Sequence, residues 1–481
     1  MLEKVLVEDY AAEGKSIARV DGKVVFIERV VPGDIVDVKL FKSKKDWAEG
    51  YPSQFHSLSK ERTEPFCVHF GVCGGCQWQM LPYEKQLFYK RQQVEDNLKR
   101  IGKIELPPVP PVIGAPENKW YRNKLEYTFS SKRFIPEEEF RSQQNHNEEF
   151  LDGDTAPVDF SVGENRQGAS GFHAKGLFDK VVEIERCWLQ QEPSNAIRKA
   201  LSGFARKNNY SFYDYKLHTG FMRTVLVRIC TTGEVMVNVV FGEDDREKRD
   251  ALLAHLLKTV AGITTLLYTV NTKWNDSLHD LEPVVVTGNG YIMEKLEDLQ
   301  FKIGPKSFFQ TNTKQGERLY NIARDFAALT GSETVYDLYC GTGSIGIFVS
   351  KLAKKIIGVE MIADAVNDAK ENALLNNIKH AQFFAGDVVK ICDDAFFAAH
   401  GKADVIITDP PRAGMHDKLV KKILDIAAPT VVYVSCNPAT QARDLRSLDE
   451  KYAVTRVQPV DMFPHTHHIE NVVQLKLRGQ N

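Results

Sequence analysis

The stretch Val335-Tyr-Asp-Leu-Tyr-Cys-Gly-Thr-Gly-Ser-Ile-Gly346 sets Gly341, Gly343 and Gly346 in a G-x-G-x-x-G pattern between an apolar run and a helical one. Glycines so spaced allow a tight turn and a close approach of ligand to backbone, as in nucleotide-binding crossovers. Outward from this loop, apolar runs alternate with helical stretches: Val335 to Leu338, Ile356 to Val359, Gln382 to Phe384, Val405 to Thr408, Val431 to Ser435 and Val472 to Leu477. Strands alternating with helices predict βαβ units around a parallel sheet, an α/β Rossmann-like domain.

Acids accompany the strand ends. Asp337 precedes the glycine loop, the second run closes on Glu360, an acid placed to bind ribose hydroxyls, and Gly386-Asp387 follows the third. NAD and S-adenosylmethionine both fit such a turn. Acids around the loop favour a cationic sulfonium over an anionic pyrophosphate, so S-adenosylmethionine is the expected cofactor.

Farther along, Val405-Ile-Ile-Thr-Asp-Pro-Pro-Arg-Ala-Gly414 puts Asp409 at the carboxyl end of a strand, before a rigid proline turn. Methyltransferases acting on exocyclic amino nitrogens use a similar element, so it is ambiguous alone. The next run, Val431-Val-Tyr-Val-Ser-Cys-Asn-Pro438, ends in Cys436 at the same edge. A lone strand-end cysteine is commonly packing, but beside this cofactor it has a chemical use. A thiolate adding to C6 of uracil makes C5 nucleophilic toward a methyl sulfonium, and a base must then remove the C5 proton. Glu470, in His465-Thr-His-His-Ile-Glu-Asn-Val472, precedes the last run and can be that base. The neighbouring histidines lack flanking acids or cysteines at metal-ligand spacing.

Upstream, residues 1 to 57 alternate short β-branched runs (Val5 to Val7, Val24 to Ile27, Ile35 to Leu40) with glycine turns, which predicts a small OB-like barrel ending in Lys39, Lys42, Lys44 and Lys45. Residues 82 to 101 read as an amphipathic helix with Lys85, Lys90, Arg91, Lys99 and Arg100 on its polar side, followed by a Pro-rich linker at 106 to 111. Residues 122 to 292 read as α+β, mostly strands with one helix near 249 to 260. Within them, 136 to 159 carry eight acids against Arg141 alone and form a solvated insertion.

The length of 481 residues suggests about three domains. The net charge of -2 argues weakly against nucleic acid, until the insertion's -7 is set aside: -2 minus -7 leaves +5 on the rest. No signal peptide or membrane-length apolar window is present, so a cytosolic protein without a membrane partner is expected. Eight cysteines are too few and uneven for a disulfide framework, but Cys67, Cys73 and Cys76 crowd together and suggest a metal, zinc by spacing alone.

Together, the TRAM-like start, the cysteine group, Phe308-Phe-Gln-Thr-Asn312, the glycine loop, DPPRAG, SCNP and HIEN resemble the RNA 5-methyluridine (uracil-C5) methyltransferases, specifically the TRAM-domain, iron-sulfur type that modifies 23S ribosomal RNA. The resemblance spans nearly the whole chain. It implies a TRAM barrel at 1 to 57, a central iron-sulfur and RNA-binding domain at 58 to 300, with 82 to 115 packing on the catalytic domain, and a catalytic domain at 301 to 481. It implies Cys436 as nucleophile and Glu470 as base. Gln310, Tyr339, Ser344, Glu360, Asp387 and Asp409 would line the S-adenosylmethionine pocket. Phe308 would stack on the target uracil, with Arg412 as a second substrate contact. It replaces zinc by a [4Fe-4S] cluster on Cys67, Cys73, Cys76 and Cys187. RNA is the partner, and no obligate protein partner is implied. Two readings stand beside 23S ribosomal RNA methylation: a transfer-RNA uridine-C5 methyltransferase, and a non-catalytic RNA-binding or ribosome assembly factor.

Overall fold

The computed structural model describes residues 1–11, 14–136 and 168–479; all of the acidic stretch 136–159 except Pro136 lies outside them. At the N-terminus, alternating β-branched residues turn Val5, Val25, Ile27, Val36 and Val38 inward onto one core. They do so from a six-stranded sheet in the order Leu2–Leu6, Ile35–Ser43, Trp47–Ser57, Lys23–Ile27, Ser16–Val20, Asp9–Tyr10. Each such buried aliphatic side chain contributes roughly 1.5–3 kcal/mol. Ser16–Val20 and Trp47–Ser57 were not expected; the latter is mostly exposed beyond Gly50, so its pattern carries little alternation.

The central region is a seven-stranded sheet, ordered Val284–Thr287, Thr265–Val270, Val235–Phe241, Met222–Ile229, Lys124–Ser130, Ala169–His173, Val181–Glu183. One pair in it is parallel, Val235–Phe241 with Thr265–Val270. Arg246–Thr259 realises the expected helix, and a second helix, Ser194–Lys207, packs beside it.

In the C-terminal region all six expected runs are strands, joined by a seventh, Tyr452–Val460. The order is Ala381–Ala385, Lys355–Glu360, Thr334–Leu338, Val405–Thr408, Thr430–Ser435, Glu470–Leu477, Tyr452–Val460. The first five are parallel, but the last two form an antiparallel hairpin, which corrects the expectation of a wholly parallel sheet. The order reverses direction at Thr334–Leu338, with Lys355–Glu360 on one side and Val405–Thr408 on the other. In open α/β sheets that switch point opens the ligand crevice at the carboxyl ends.

The helix Tyr83–Asn97, continued by a π-helical turn Leu98–Gly102, packs on Pro438–Leu448 of the C-terminal region. It also reaches the N-terminal sheet, through Gln92 to Asp9 (2.6 Å). Two partners leave it little free polar side. Lys90, expected on the solvated face, is 0% exposed and donates to Asp461 Oδ1 (2.6 Å) and to the Phe463 carbonyl (3.1 Å). Burial pulls the Lys90 ammonium below its ordinary range, opposed by the Asp461 carboxylate. Lys90→Met should therefore cost about 3–5 kcal/mol in denaturant unfolding by stranding a buried carboxylate, and adding Asp461→Asn should restore part of it.

Candidate functional site

A cavity of about 1210 Å3 opens at the switch point. Its floor is the glycine loop. Tyr339 (φ +62°) and Gly343 (φ +76°) turn the chain sharply after the strand, and Gly343 caps the helix Ser344–Val349. At Gly346 a side chain would meet Asp337 Oδ2 at 2.9 Å, because the Gly346 amide donates to that oxygen at 2.8 Å. Only glycine permits this approach. At Gly341 a Cβ would meet nothing within 4 Å, and the residue faces the cavity.

Glu360, ending its strand, accepts from the Gly341 amide (3.1 Å) and the Ile362 amide (3.0 Å), which fixes its carboxylate at the wall. Ser344 shares a hydrogen bond with Tyr320 (3.0 Å). Gln310 and Phe308 come from the segment before the helix Thr313–Ala327, where Asn312 is N-cap and donates to the Met462 carbonyl (3.0 Å). Asn123, at the start of the central sheet, holds the same segment through the Gln310 carbonyl and Thr313 hydroxyl, both 2.8 Å. Phe309 is buried in the core, while Phe308 is 66% exposed at the cavity.

Cys436 and Glu470 enter from adjacent antiparallel strands. The register pairs Ser435, the last residue of its strand, with Asn471; Cys436 follows the one and Glu470 precedes the other, near enough for the Glu470 charge to act on the Cys436 thiol. Both line the cavity, with Asp409, Pro410, Pro411 and Arg412. Arg412 is oriented by His468 Nδ1 (3.0 Å), while Asn437 and Thr440 donate to its carbonyl.

Carboxyl groups outnumber basic groups on the walls. Glu282, Asp337, Glu360, Asp364, Asp368, Asp409 and Glu470 face Arg122, Lys306 and Arg412. Burial pushes Asp337 and Asp409 up to about 7. Burial, then the Asp409 charge, hold Glu470 well above the carboxylate range, against the pull of Arg412. Burial and the neighbouring Glu470 and Asp409 push the Cys436 thiol up to about 12. A cavity with this balance accepts a cation more readily than an anion, and a bound cation would lower each of these groups. These acids and the open backbone at Gly341 fit a sulfonium nucleoside.

Carboxyls raised in the folded state hold protons that the unfolded chain has already lost. Stability therefore falls as pH rises from about 4 to about 7, by on the order of 4 kcal/mol for a single site shifted this far. Asp337→Asn removes one such site. Its melting temperature relative to wild type should rise between pH 5 and pH 8 in cofactor-free protein, and a difference independent of pH would exclude the effect.

Nine of the ten sequence-expected catalytic, cofactor and substrate residues line this one cavity: Phe308, Gln310, Tyr339, Ser344, Glu360, Asp409, Arg412, Cys436 and Glu470. Asp387 does not; its carboxylate caps the short helix Val388–Ile391 by accepting from the Val389 amide (3.0 Å). Tyr320, Thr342 and Arg122 line the cavity but were not expected. Tyr121-Arg122-Asn123 follows the proline linker without any periodic signal, and only the segment it holds reveals its place. The three histidines are separately engaged: His465 with Gln86 and the Asn118 carbonyl, His467 with Gln77, His468 with Arg412. Burial lowers them to about 4, 4 and 3, so all three are neutral, and His465 and His467 link the C-terminal region to the segments before it.

A second cavity, about 190 Å3, is lined by Cys67, Cys73, Cys76 and Cys187. Tertiary contacts close the 110-residue gap. Cys73 bridges Ala174, the Gly74 amide donates to the His173 carbonyl (3.2 Å), and Asn195 clasps the Cys187 backbone amide and carbonyl (2.7 and 3.2 Å). Among the described residues no three His, Cys, Asp or Glu groups converge so as to hold a single metal ion. No helix among them is long and apolar enough to cross a membrane.

Comparison with known proteins agrees with this geometry. The TRAM domain profile matches residues 3–51, and that of the tRNA (Uracil-5-)-methyltransferase family matches residues 284–478. A Bacteroides thetaiotaomicron protein named "Uncharacterized RNA methyltransferase" is 50% identical over 471 residues, 97% of this chain and 100% of that one. A Porphyromonas gingivalis protein of the same name is 47% identical, covering 98% of each. Among solved structures, the Pyrococcus abyssi tRNA (uracil-54, C5)-methyltransferase in complex with S-adenosyl-L-homocysteine superposes with a TM-score of 0.71 at 27% identity, covering 98% of this chain and 100% of that one. Likeness from end to end at half identity is descent rather than convergence on a common fold, and the chain belongs to the S-adenosylmethionine-dependent RNA uracil-C5 methyltransferases.

Proposed function

We propose that the chain methylates C5 of a specific uridine in 23S ribosomal RNA, with Cys436 as nucleophile and Glu470 as base. The observation that carries this is that a cysteine and a buried glutamate, at the ends of neighbouring antiparallel strands, line one acid-lined cavity within electrostatic reach of each other. Gln310, Tyr339, Ser344, Glu360 and Asp409 would hold S-adenosylmethionine, and Asp387 would act from behind Tyr339. When bound, that cofactor supplies an electrophilic methyl group.

The chain's own residues do the rest. Phe308, exposed at the rim, stacks on the uracil once it has left its RNA stack. Arg412 steadies it from the Cys436 side. Once its proton has passed to water, the Cys436 sulfur bonds to C6 and places carbanionic character on C5, which would take the methyl group as the methyl–sulfonium bond breaks and its electron pair stays on the cofactor's sulfur. Glu470 then removes the C5 proton, and the C6–S bond breaks to return the thiolate and the aromatic base.

We further infer a [4Fe-4S] cluster at the cysteine cavity, because four thiols and no carboxylate line one space and such a cluster takes one thiolate at each iron. It would brace the central region against the segment that precedes the helix Tyr83–Asn97. Anaerobically purified protein should carry iron and sulfide in equal amounts; zinc alone would contradict the cluster.

A second reading has a specific observation in its favour, since the Pyrococcus structure is of an enzyme acting on transfer RNA. The two are separated by nucleoside mass spectrometry of fractionated RNA from cells lacking the protein. Loss of 5-methyluridine from 23S RNA with transfer RNA unchanged is the expected outcome. Loss confined to transfer RNA reverses the substrate assignment, and no loss in either fraction favours the non-catalytic reading.

A further inference from the structure

The loop between the strands Thr265–Val270 and Val284–Thr287 forms part of the rim of the large cavity. His279 and Glu282 line that cavity, and Lys306 ties the loop down through the His279 carbonyl (3.4 Å) and the Glu282 carboxylate (2.8 Å). Five residues before His279, the same loop presents Trp274 with 79% of its surface exposed. Indole so exposed forfeits the burial that normally stabilises it, and tryptophan is a residue type enriched at interfaces.

The ring is held in place. Arg223, fully buried in the strand Met222–Ile229, donates to the carbonyls of Asn271 (2.6 Å), Lys273 (2.7 Å) and Asn275 (2.8 Å), and to Asp276 Oδ1. The chain before and after Trp274 is thereby pinned to the sheet. Asn271 adds a bond from its side chain to the Asn275 carbonyl (3.0 Å). One face of the indole lies on His218, with centroids 5.0 Å apart and planes 3° from parallel. His218 itself stands at φ +56° in a turn whose Lys216 and Leu217 amides are capped by Asp214 (2.8 and 3.0 Å). Two separately braced loops therefore meet to back one face of a tryptophan.

We propose that Trp274, backed by His218, is a stacking platform for an unpaired nucleobase of the RNA substrate, at a nucleotide flanking the target and outside the catalytic cavity. Single-stranded RNA is bound in this way, by bases laid on fixed aromatic faces. Leu217, 72% exposed beside His218, widens the apolar surface. The nearby lysines are neutralised, Lys216 by Asp179 and Lys273 by Asp280. Stacking rather than phosphate attraction thus carries the contact, and the platform adds little to the salt dependence of binding. The proposal rests on the RNA reading above, but not on the identity of the methylated RNA.

The test uses the full chain as wild type, Trp274→Ala and Trp274→Phe, titrated with an oligoadenylate of about twelve nucleotides and with 23S ribosomal RNA. Trp274→Ala should weaken binding about 5- to 100-fold, the range expected for losing one base stack. Trp274→Phe should retain most of the affinity, and the salt slope should stay as in wild type. Fluorescence quenching by the oligonucleotide should largely disappear in both variants. Equal affinity of wild type and Trp274→Ala, or undiminished quenching in Trp274→Phe, overturns the platform. If wild type forms no 5-methyluridine yet Trp274→Ala still binds RNA more weakly, the methylation reading falls and the platform stands. If Trp274→Ala forms 5-methyluridine at an unchanged half-saturating RNA concentration, the platform falls and the methylation reading stands.

Discussion

Cys436→Ala is expected to reduce 5-methyluridine formation by about 10^3-fold or more, and to abolish any denaturant-resistant complex between protein and RNA. The magnitude follows from the chemistry: C5 of uracil is a poor nucleophile until a sulfur has added at C6, so there is no weaker version of the same route to fall back on. The fold should survive. Cys436 lies only partly buried, at the cavity wall between its strand and the helix Pro438–Leu448. Cofactor binding should survive too, since the acid walls around the glycine loop are untouched. Methyl transfer from labelled S-adenosylmethionine, read beside cofactor binding by calorimetry, separates loss of chemistry from loss of structure. Full activity in this variant would end the thiolate mechanism.

Glu470→Gln should show the complementary defect. Methyl transfer to C5 does not require this carboxylate, but release does, so the covalent protein–RNA complex should accumulate and survive denaturing electrophoresis. Turnover should fall about 10^2- to 10^4-fold, the usual contribution of a positioned base. The burial that holds Glu470 above the carboxylate range also predicts a pH signature. A carboxyl acts as a base only once ionised, so wild-type turnover should climb with pH through its raised titration and then level, whereas the residual turnover of the variant should lack that limb. Accumulation of complex with Cys436→Ala, or none with Glu470→Gln, would reverse the assignment of the two residues.

How far these sites were legible differed with the kind of signal. The buried strands around the glycine loop were readable because they are short, largely apolar runs bounded by turns, with Asp337 inside the first and Glu360 and Asp409 at the ends of others. The edge strand Tyr452–Val460 escaped because it is half exposed and includes Pro459, which breaks the apolar pattern. The helix Ser194–Lys207 escaped because its buried face includes Ser194, Asn195, Arg198 and Ser202, polar residues that serve as hydrogen-bond partners inside the central region. Lys90 was misplaced for a related reason: amphipathic periodicity assumes one apolar partner and one solvated face, and this helix has a partner on each side.

By itself the sequence determined the local chemistry. A glycine loop after a strand, acids at strand ends, a cysteine and a glutamate flanking the last two runs, and four thiols of one kind are statements about residue type and spacing, which follow from backbone geometry within a few residues. The tertiary structure decided proximity. Which carboxylates share a wall, that Cys436 and Glu470 line one cavity, that Cys187 joins Cys67, Cys73 and Cys76, and that Trp274 is braced in the open all depend on strand order and on burial. Those arise from packing between segments tens to more than a hundred residues apart, for which no spacing along the chain is a measure.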